Sequence, residues 1–186
     1  MVTVSERRVD PLLFGVVLFL ASELMFFGGL FASYFFLRAR VAPWPPEPAE
    51  LETIPAAIAT AVLAASSGTY LLGVRDARAG HLRGLRVWTI ATFVLGAAFL
   101  SMQAREWTRL PFEVSTDAYG TLFYAMTGFH GLHVLAGLVL MVVVLGRSWQ
   151  GAYDRGEIRG VEATGYYWHF VDAVWLALFG TLFLIR

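Results

Sequence analysis

The chain has 186 residues, of which 58% are hydrophobic, 15% aromatic and 15% charged, and its formal net charge is zero. Soluble domains carry about 25% charged residues, and one of this length could not bury so much apolar surface. Disordered chains are poor in aromatic residues, so the composition excludes them as well. Without a basic surplus, nucleic-acid binding is not expected. Without cysteine, disulfides and thiolate metal sites are excluded.

The apolar residues are gathered into five spans, and each is close to the ~20 residues with which a helix crosses a bilayer. None has the strict alternation of a barrel strand, so the sequence predicts an all-α membrane protein with a five-helix bundle. We expect a cytoplasmic tail at 1–11 and a single transmembrane domain at 12–186. The predicted helices lie at about 12–37, 54–74, 87–104, 119–145 and 164–185.

The distribution of arginine predicts the orientation in the membrane, because loops on the cytoplasmic side carry an excess of basic residues. The N-terminal tail and the loops after the second and fourth spans hold nine arginines: Arg7, Arg8, Arg75, Arg78, Arg83, Arg86, Arg147, Arg155 and Arg159. The opposite side holds five: Arg38, Arg40, Arg105, Arg109 and Arg186. The N-terminus is therefore expected in the cytoplasm and the C-terminus outside.

Small residues four positions apart on the first two spans indicate faces on which helix backbones approach closely. The pairs on the first span are Gly28 with Ala32 and Gly29 with Ser33. Those on the second span are Ala61 with Ala65 and Ala64 with Gly68. Because each helix has two such pairs, we expect them to mark packing surfaces.

Five polar side chains fall inside the spans or near their edges: Glu23, His130, His133, His169 and Asp172. A charged side chain at the bilayer centre costs roughly 2.5–3.5 kcal/mol on insertion scales, so each needs a partner or a change of protonation state. Three interpretations of Glu23 stay open: a proton-handling group, a hydrogen-bonding anchor between helices, and a neutral acid that faces lipid.

The histidines occur in two sets with helical spacing, since His130 and His133 are three residues apart, as are His169 and Asp172. Such sets are compatible with an intramembrane metal site, but the Glu-x-x-His pairs of di-iron bundles and the H-E-x-x-H of zinc proteases are absent. We therefore favour hydrogen bonds between the fourth and fifth helices, with a histidine or Trp168 as the partner of Asp172.

Aromatic residues at the start of the fifth span are typical of a membrane interface. Tyr166, Tyr167 and Trp168 lie there, and Arg155 and Arg159 precede them. Arginine close to the membrane surface attracts anionic lipid headgroups. Arg155, Arg159 and Tyr167 are therefore candidate contacts for a phospholipid headgroup.

Four sequence blocks resemble subunit III of the haem–copper cytochrome c oxidases, in the family's order. They are SELMFFGGLFASYF at 22–35, QAREWTRLPFEVSTDAYGTLFYA at 103–125, TGFHGLHVLAG at 127–137 and YYWHFVDAVWLALF at 166–179. Glu23 matches the carbodiimide-reactive membrane glutamate of that family. The proline-rich segment after the first span resembles that of the short, five-helix bacterial form, including the actinobacterial type.

The resemblance implies a non-redox subunit of a proton-pumping terminal oxidase that transfers electrons from cytochrome c to oxygen. Such a subunit holds no haem, copper or other metal and has no catalytic residue of its own. It packs directly on catalytic subunit I, stabilises it, supports its proton uptake and binds phospholipid. Subunit II, small subunits and a cytochrome bc complex in a supercomplex are further expected partners, in a bacterial cell membrane.

The resemblance also implies residue roles. His130, His133, His169 and Asp172 match family positions that are structural and are not redox ligands. From the residues themselves, Glu23 and Asp172 are candidates for proton-related or membrane-buried polar groups, and Trp168 joins the histidines as a structural, hydrogen-bonding candidate. Longer family members have two further N-terminal helices, which form one arm of a lipid-filled cleft. Without that arm, this chain could not form the cleft alone, and the uncovered face of the first helix should meet lipid or a partner.

Other functions remain open from the residues. One is a subunit III-like chain of a quinol oxidase or of a nitric oxide reductase system. Another is a stand-alone intramembrane metalloenzyme that uses the histidines. A proton-coupled transporter built on Glu23 and Asp172 is disfavoured, because transporters usually contain repeated halves.

Overall fold

A computed structural model describes residues 10–47 and 51–185, and within them it contains five helices and no strand. The prediction of an all-helical membrane protein is confirmed, since all five helices are long and apolar enough to cross a bilayer. The predicted tail lies mostly outside the described residues, as do Arg7, Arg8 and Arg186. The helices are α1 (Pro11–Arg38), α2 (Thr53–Arg78), α3 (Leu82–Trp107), α4 (Ala118–Trp149) and α5 (Arg159–Phe179), and α5 continues into a π-helical turn at Gly180–Leu184.

The helices extend beyond the apolar spans because their ends are defined by capping and not by hydropathy. Asp10 Oδ1 accepts a hydrogen bond from the Leu12 backbone N at 2.9 Å, next to a proline in the first turn of α1. Asp117 Oδ1 likewise accepts from Gly120 N at 2.7 Å at the start of α4. Arg75 and Arg78 occupy the last turn of α2, where cations are favoured by the helix dipole.

Helix α5 is central to the bundle, because it packs against α1, α2 and α4, while α3 joins α2 to α4. Its two tryptophans are fully buried. Trp168 lies so close to Gly96 of α3 and Gly137 of α4 that a Cβ on either glycine would come within 3 Å of the indole. These glycines therefore let the large ring enter the space between three helices.

Helix α1 lies at the periphery and packs on α4 and α5. Only Phe27 and Tyr34 of its 28 residues are buried. Its uncovered face is apolar over most of its length, with Val17, Leu24 and Met25 among the exposed side chains. The expectation that this helix has a face left for lipid or a partner agrees with this arrangement.

The small-residue pairs on α1 and α2 do not mark packing surfaces within this chain, so that part of the sequence analysis is wrong for the isolated subunit. A Cβ placed on Gly28, Gly29 or Gly68 would meet no atom within 4 Å outside its own helix and chain neighbours. Ala64 and Ala65 on α2 are exposed as well. The close contacts are provided instead by Gly96 and Gly137, which belong to none of the predicted pairs.

The segment after α1 is non-helical through residue 47 and is anchored to the bundle by aromatic side chains. Trp44 Nε1 donates a hydrogen bond to the Tyr34 hydroxyl at 3.1 Å, and that hydroxyl in turn donates to the backbone oxygen of Thr181 at 3.3 Å. The Trp44 ring also packs edge-on against Tyr119. This cluster joins one end of α1 to the end of the α5 region.

Candidate functional site

Glu23 of α1 and His133 of α4 form a pair inside the membrane-spanning part of the bundle. Glu23 Oε2 lies 2.9 Å from His133 Nε2, and the two side chains are 20% and 16% exposed. The other ring nitrogen, Nδ1, lies 2.6 Å from the backbone oxygen of Phe129. A carbonyl oxygen only accepts hydrogen bonds, so Nδ1 carries a proton.

The fixed Nδ1 proton restricts what the Glu23–His133 pair can do. Either protonated Glu23 donates to a bare Nε2, or Nε2 carries a second proton and donates to the carboxylate. Both arrangements hold the same number of protons and are neutral overall, which suits a site of low dielectric. The pair can therefore hold one proton between an acid and a base.

The surroundings of the pair fix the imidazole but leave one side accessible. The Phe27 ring packs edge-on against the His133 ring, and the Tyr167 hydroxyl donates to the His133 backbone oxygen at 3.0 Å. Sequence reasoning had not identified His133 as the partner of Glu23, because the two residues are 110 positions apart. Their juxtaposition makes this pair the candidate site for proton handling.

A groove of about 890 Å³ lies between α1, α4 and α5, beside the Glu23–His133 pair. Its walls are apolar along most of their length, with Val16, Phe19, Leu135 and Val139 among the lining residues. Its charged residues, Arg147, Glu157 and Arg159, gather at the end formed by the last turn of α4, the following loop and the start of α5, together with Tyr153. The groove thus combines a long apolar wall with a basic end.

Of the three candidate headgroup contacts, two line this groove and one does not. Arg159 and Tyr167 line it, whereas Arg155 is exposed in the preceding loop and is not among the lining residues. Arg159 Nε lies 3.0 Å from Asp10 Oδ2, so its charge is partly compensated. Burial raises the pKa of the nearby Tyr153 hydroxyl, although the Arg147 charge opposes the shift, so this phenol remains a hydrogen-bond donor.

A second polar cluster lies where α2 packs against α5. Ser67 Oγ is 2.8 Å from His169 Nδ1 and donates a hydrogen bond to Asp172 Oδ2. Two further bonds join the same helices, since Trp168 Nε1 donates to Ser66 Oγ at 3.0 Å and Trp175 Nε1 donates to Thr60 Oγ1 at 2.9 Å. Serine and threonine of α2 therefore form hydrogen bonds with four polar side chains of α5.

The predicted side-chain hydrogen bonds between the fourth and fifth helices do not form among the described residues. His133 turns towards α1, and His169 and Asp172 turn towards α2. His130 is fully buried, packs against the rings of Phe99 and Trp175, and has no hydrogen-bond partner in the described part of the chain. The helical spacing placed His169 and Asp172 on one face correctly, whereas His130 and His133 meet different neighbours.

Sequence reasoning missed the contribution of α2. The run Ser66-Ser67-Gly68-Thr69 in the middle of an apolar span was the available signal, since hydroxyl side chains at mid-membrane depth often bond across helices. A metalloenzyme built on the histidines also lacks support from the geometry. Across residues 10–47 and 51–185, no three His, Asp or Glu side chains gather into a group that could ligate a metal.

Comparison with known proteins accounts for nearly the whole chain. The family model described as Cytochrome c oxidase subunit III matches residues 5–185. A "Probable cytochrome c oxidase subunit 3" of Nocardia farcinica is 44% identical over 98% of this chain and 92% of its own length. The cytochrome c oxidase subunit 3 of Thermostichus vulcanus is 40% identical over 97% of this chain and 90% of its own.

A third relative, the cytochrome c oxidase subunit 3 of Synechocystis, is 42% identical over 95% of this chain and 76% of its own length. These relatives are bacterial, which together with the five spanning helices makes this a multi-pass protein of a bacterial membrane. The chain belongs to the cytochrome c oxidase subunit III family, whose members are subunits of haem–copper terminal oxidases and have no redox centre of their own.

Proposed function

We propose that this chain stabilises the catalytic subunit I of a proton-pumping oxidase and supports its proton uptake through the Glu23–His133 pair. The observation that carries the proposal is the 2.9 Å contact between Glu23 Oε2 and His133 Nε2. Loss of the shared proton leaves one net negative charge on the pair, and the partial exposure of both side chains lowers the cost of that charge inside the membrane. Such a pair is suited to buffering protons beside a partner that consumes them.

The position of the pair supports the same role. It is partly exposed and lies next to the groove whose basic end includes Arg147 and Arg159. Because the groove wall between the pair and that end is apolar, proton exchange would take place through the exposed side of the pair itself. The pair does not ligate a redox cofactor in this proposal, because the reduction of oxygen takes place in the partner subunit.

The test replaces Glu23 with glutamine in the assembled oxidase. Glutamine can still donate a hydrogen bond to His133 Nε2 but cannot give up a proton, so we expect an unchanged haem spectrum and slower proton uptake during turnover. Ser22→Ala is the matched control, because Ser22 Oγ bonds only the Phe19 backbone oxygen of its own helix. A loss of haem in Glu23→Gln, or equal proton uptake in both variants, would contradict the proposal.

We also propose that the groove holds a phospholipid, with the headgroup at Arg159 and acyl chains along the apolar wall, where Tyr167 lies deeper in the groove with its hydroxyl bonded to the His133 backbone oxygen. Arg147 lies at the same end and adds positive charge. Each basic residue near the membrane surface contributes about 1 kcal/mol to the binding free energy of an anionic headgroup. Arg155, the remaining candidate, is exposed in the loop and contributes less in this arrangement.

Lipid analysis of the purified oxidase tests this assignment. Arg159→Gln should lower the amount of anionic phospholipid that stays bound through detergent washing, and Arg155→Gln should leave it unchanged. If the two variants lose lipid equally, the charge of the loop, and not the groove, retains the lipid.

The proposed partners are subunit I by direct contact, subunit II and small subunits in the same complex, and a cytochrome bc complex in a supercomplex. Purification of the tagged chain in mild detergent, followed by an optical spectrum, tests this set. Haem-containing subunits should copurify with the chain. A folded chain recovered alone, or one with its own visible absorption, would contradict the proposal.

The proposed orientation, with the N-terminus in the cytoplasm, is supported by contacts at one end of the bundle. The Arg78–Glu162 and Arg159–Asp10 ion pairs bring the starts of α1 and α5 to the end of α2. Among residues 10–47 and 51–185, this end gathers seven of the eleven arginines: Arg75, Arg78, Arg83, Arg86, Arg147, Arg155 and Arg159. Because the chain has no cysteine, a single cysteine at position 83 should be labelled by an impermeant reagent only from the cytoplasmic side.

A further inference from the structure

The outer surface along the contact of α2 with α5 carries polar groups at mid-membrane depth. We call it the α2–α5 face; its residues are Thr60, Ala64, Ser67, His169, Asp172 and Leu176. Ser67 lies near the middle of Thr53–Arg78, and Asp172 lies near the middle of the span Arg159–Leu184. Water is not available at that depth to satisfy polar groups that face lipid.

Two polar atoms on this face lack a hydrogen-bond partner among the described residues. Asp172 is 8% exposed, and its Oδ1 is buried and unpaired although Oδ2 accepts from Ser67. His169 uses Nδ1 for Ser67, and no bond to its Nε2 is found in the described ranges. A small cavity of about 20 Å³ lies beside Asp172 and is lined also by Thr60 and Ala64. Asp172 Oδ1 is enclosed by the chain, so the group left for a donor or acceptor from outside is Nε2 of the partly exposed His169.

The same face has the shape of a helix-packing surface. Ala61, Ala64, Ala65 and Gly68 are exposed on α2, and a Cβ on Gly68 would meet nothing within 4 Å. Rows of small residues let a second helix approach closely in a membrane, and polar side chains then bond across the contact. Within the described residues no helix of this chain occupies that position.

The outer face of α4 differs in both respects. Its exposed side chains are large and aliphatic, with Leu132, Leu135, Val139 and Val142 all at least half exposed. Such a surface matches lipid tails and offers them no polar atom. The contrast indicates that the α4 face meets lipid and that the α2–α5 face meets protein.

We propose that a transmembrane helix of another subunit of the same oxidase docks on the α2–α5 face. Its contact surface would consist of small residues and would present at least one hydrogen-bonding side chain at the depth of Asp172. The proposal rests on the proposed function, because it takes the partner from within the oxidase. A second copy of this chain fits less well, since a symmetric contact would bring two Asp172 side chains together.

Site-specific photo-crosslinking in native membranes tests the proposal with little perturbation of the fold. A photoreactive amino acid at Ala64 should give a covalent product with a subunit of the haem-containing complex, identified after that complex is purified. The same probe at Val142 on α4, outside the groove, should give no product with protein. A product between two copies of this chain, or reaction of both positions with lipid only, would overturn the docking site.

A second pair of variants measures the consequence for assembly. Ala64→Trp should lower the recovery of haem with the tagged chain several-fold, because the indole fills the approach to the face, whereas Val142→Trp on α4, outside the groove, should leave it unchanged. Equal recovery in both variants would overturn the docking site while the proposed function stands. If the unaltered chain recovers no haem, the proposed function fails instead.

Discussion

Helices α1 and α5 show how differently two spanning segments of one chain can be stabilised. In the most apolar 18-residue stretch of each helix, 6% of the residues are buried in α1 and 56% in α5. Helix α1 nevertheless has the higher mean hydropathy, 2.0 against 1.4. The higher hydropathy of α1 therefore does not reflect greater burial inside the protein. The less apolar helix is the central one, because its polar side chains are satisfied by neighbouring helices.

The two mid-membrane acids follow the same division. Glu23 of α1 is paired with one imidazole at the edge of the bundle, where both side chains remain partly exposed. Asp172 of α5 belongs to a cluster with Ser67 and His169 and is more deeply placed. An acid at the edge is suited to exchanging a proton, whereas one within a helix contact is suited to holding helices together.

The largest expected effect tests the packing of the central helix. Gly137→Ala should lower the free energy of unfolding by about 1–3 kcal/mol, because the new Cβ would overpack the buried Trp168 ring. Gly28→Ala on α1 is the matched control, since open space surrounds that position, and it should cause no loss. SDS titration in mixed micelles measures both. Equal losses would mean that α1 is packed as tightly as α5.

A smaller effect is expected at the α2–α5 cluster. Ser67→Ala should cost about 1–2 kcal/mol, because it leaves polar atoms of His169 and Asp172 unpaired in the bundle. Ser33→Ala is the control, since Ser33 Oγ bonds only the Gly29 backbone oxygen within α1. The same titration measures the difference. A cost no greater than that of Ser33→Ala would remove the cluster as a stabilising contact.

The Glu23–His133 pair should contribute less to stability. A double-mutant cycle with Glu23→Leu and His133→Leu should give a coupling energy of about 0.6 kcal/mol, the average for hydrogen bonds between membrane helices. Partial exposure of both side chains keeps the value low. A coupling well above about 1.7 kcal/mol would make the pair a structural contact comparable to the cluster on α5.

The smallest effect belongs to the ion pair outside the apolar region. Arg78 Nη2 lies 2.8 Å from Glu162 Oε1, but the arginine side chain is 60% exposed. Arg78→Gln should therefore cost about 0.2–0.5 kcal/mol, and the cost should disappear at high salt. Unfolding at two salt concentrations checks this. A salt-independent cost would indicate that the pair is shielded from solvent.

The fold could be predicted from the sequence, because each apolar span of this length must form a helix inside a membrane. The sequence also identified the polar residues of the candidate site, since Glu23, His133 and Asp172 stand out against an apolar background. Their partners were not predictable in the same way. A period of 3.6 residues places His130 and His133 near each other on α4. Only the packing of the neighbouring helices determines that His133 is paired with Glu23 and that His130 is enclosed by aromatic rings.

The attachment of α1 has a consequence for handling the protein. Three polar contacts connect this helix to α4 and α5: Asp10 with Arg159, Glu23 with His133, and Tyr34 with Thr181. They occur near its beginning, middle and end, with little buried apolar surface between them. Detergents that strip lipid and admit water would weaken such contacts first, so α1 should detach before the other four helices separate. Gentle, lipid-retaining extraction is thus the condition under which this subunit keeps its native form.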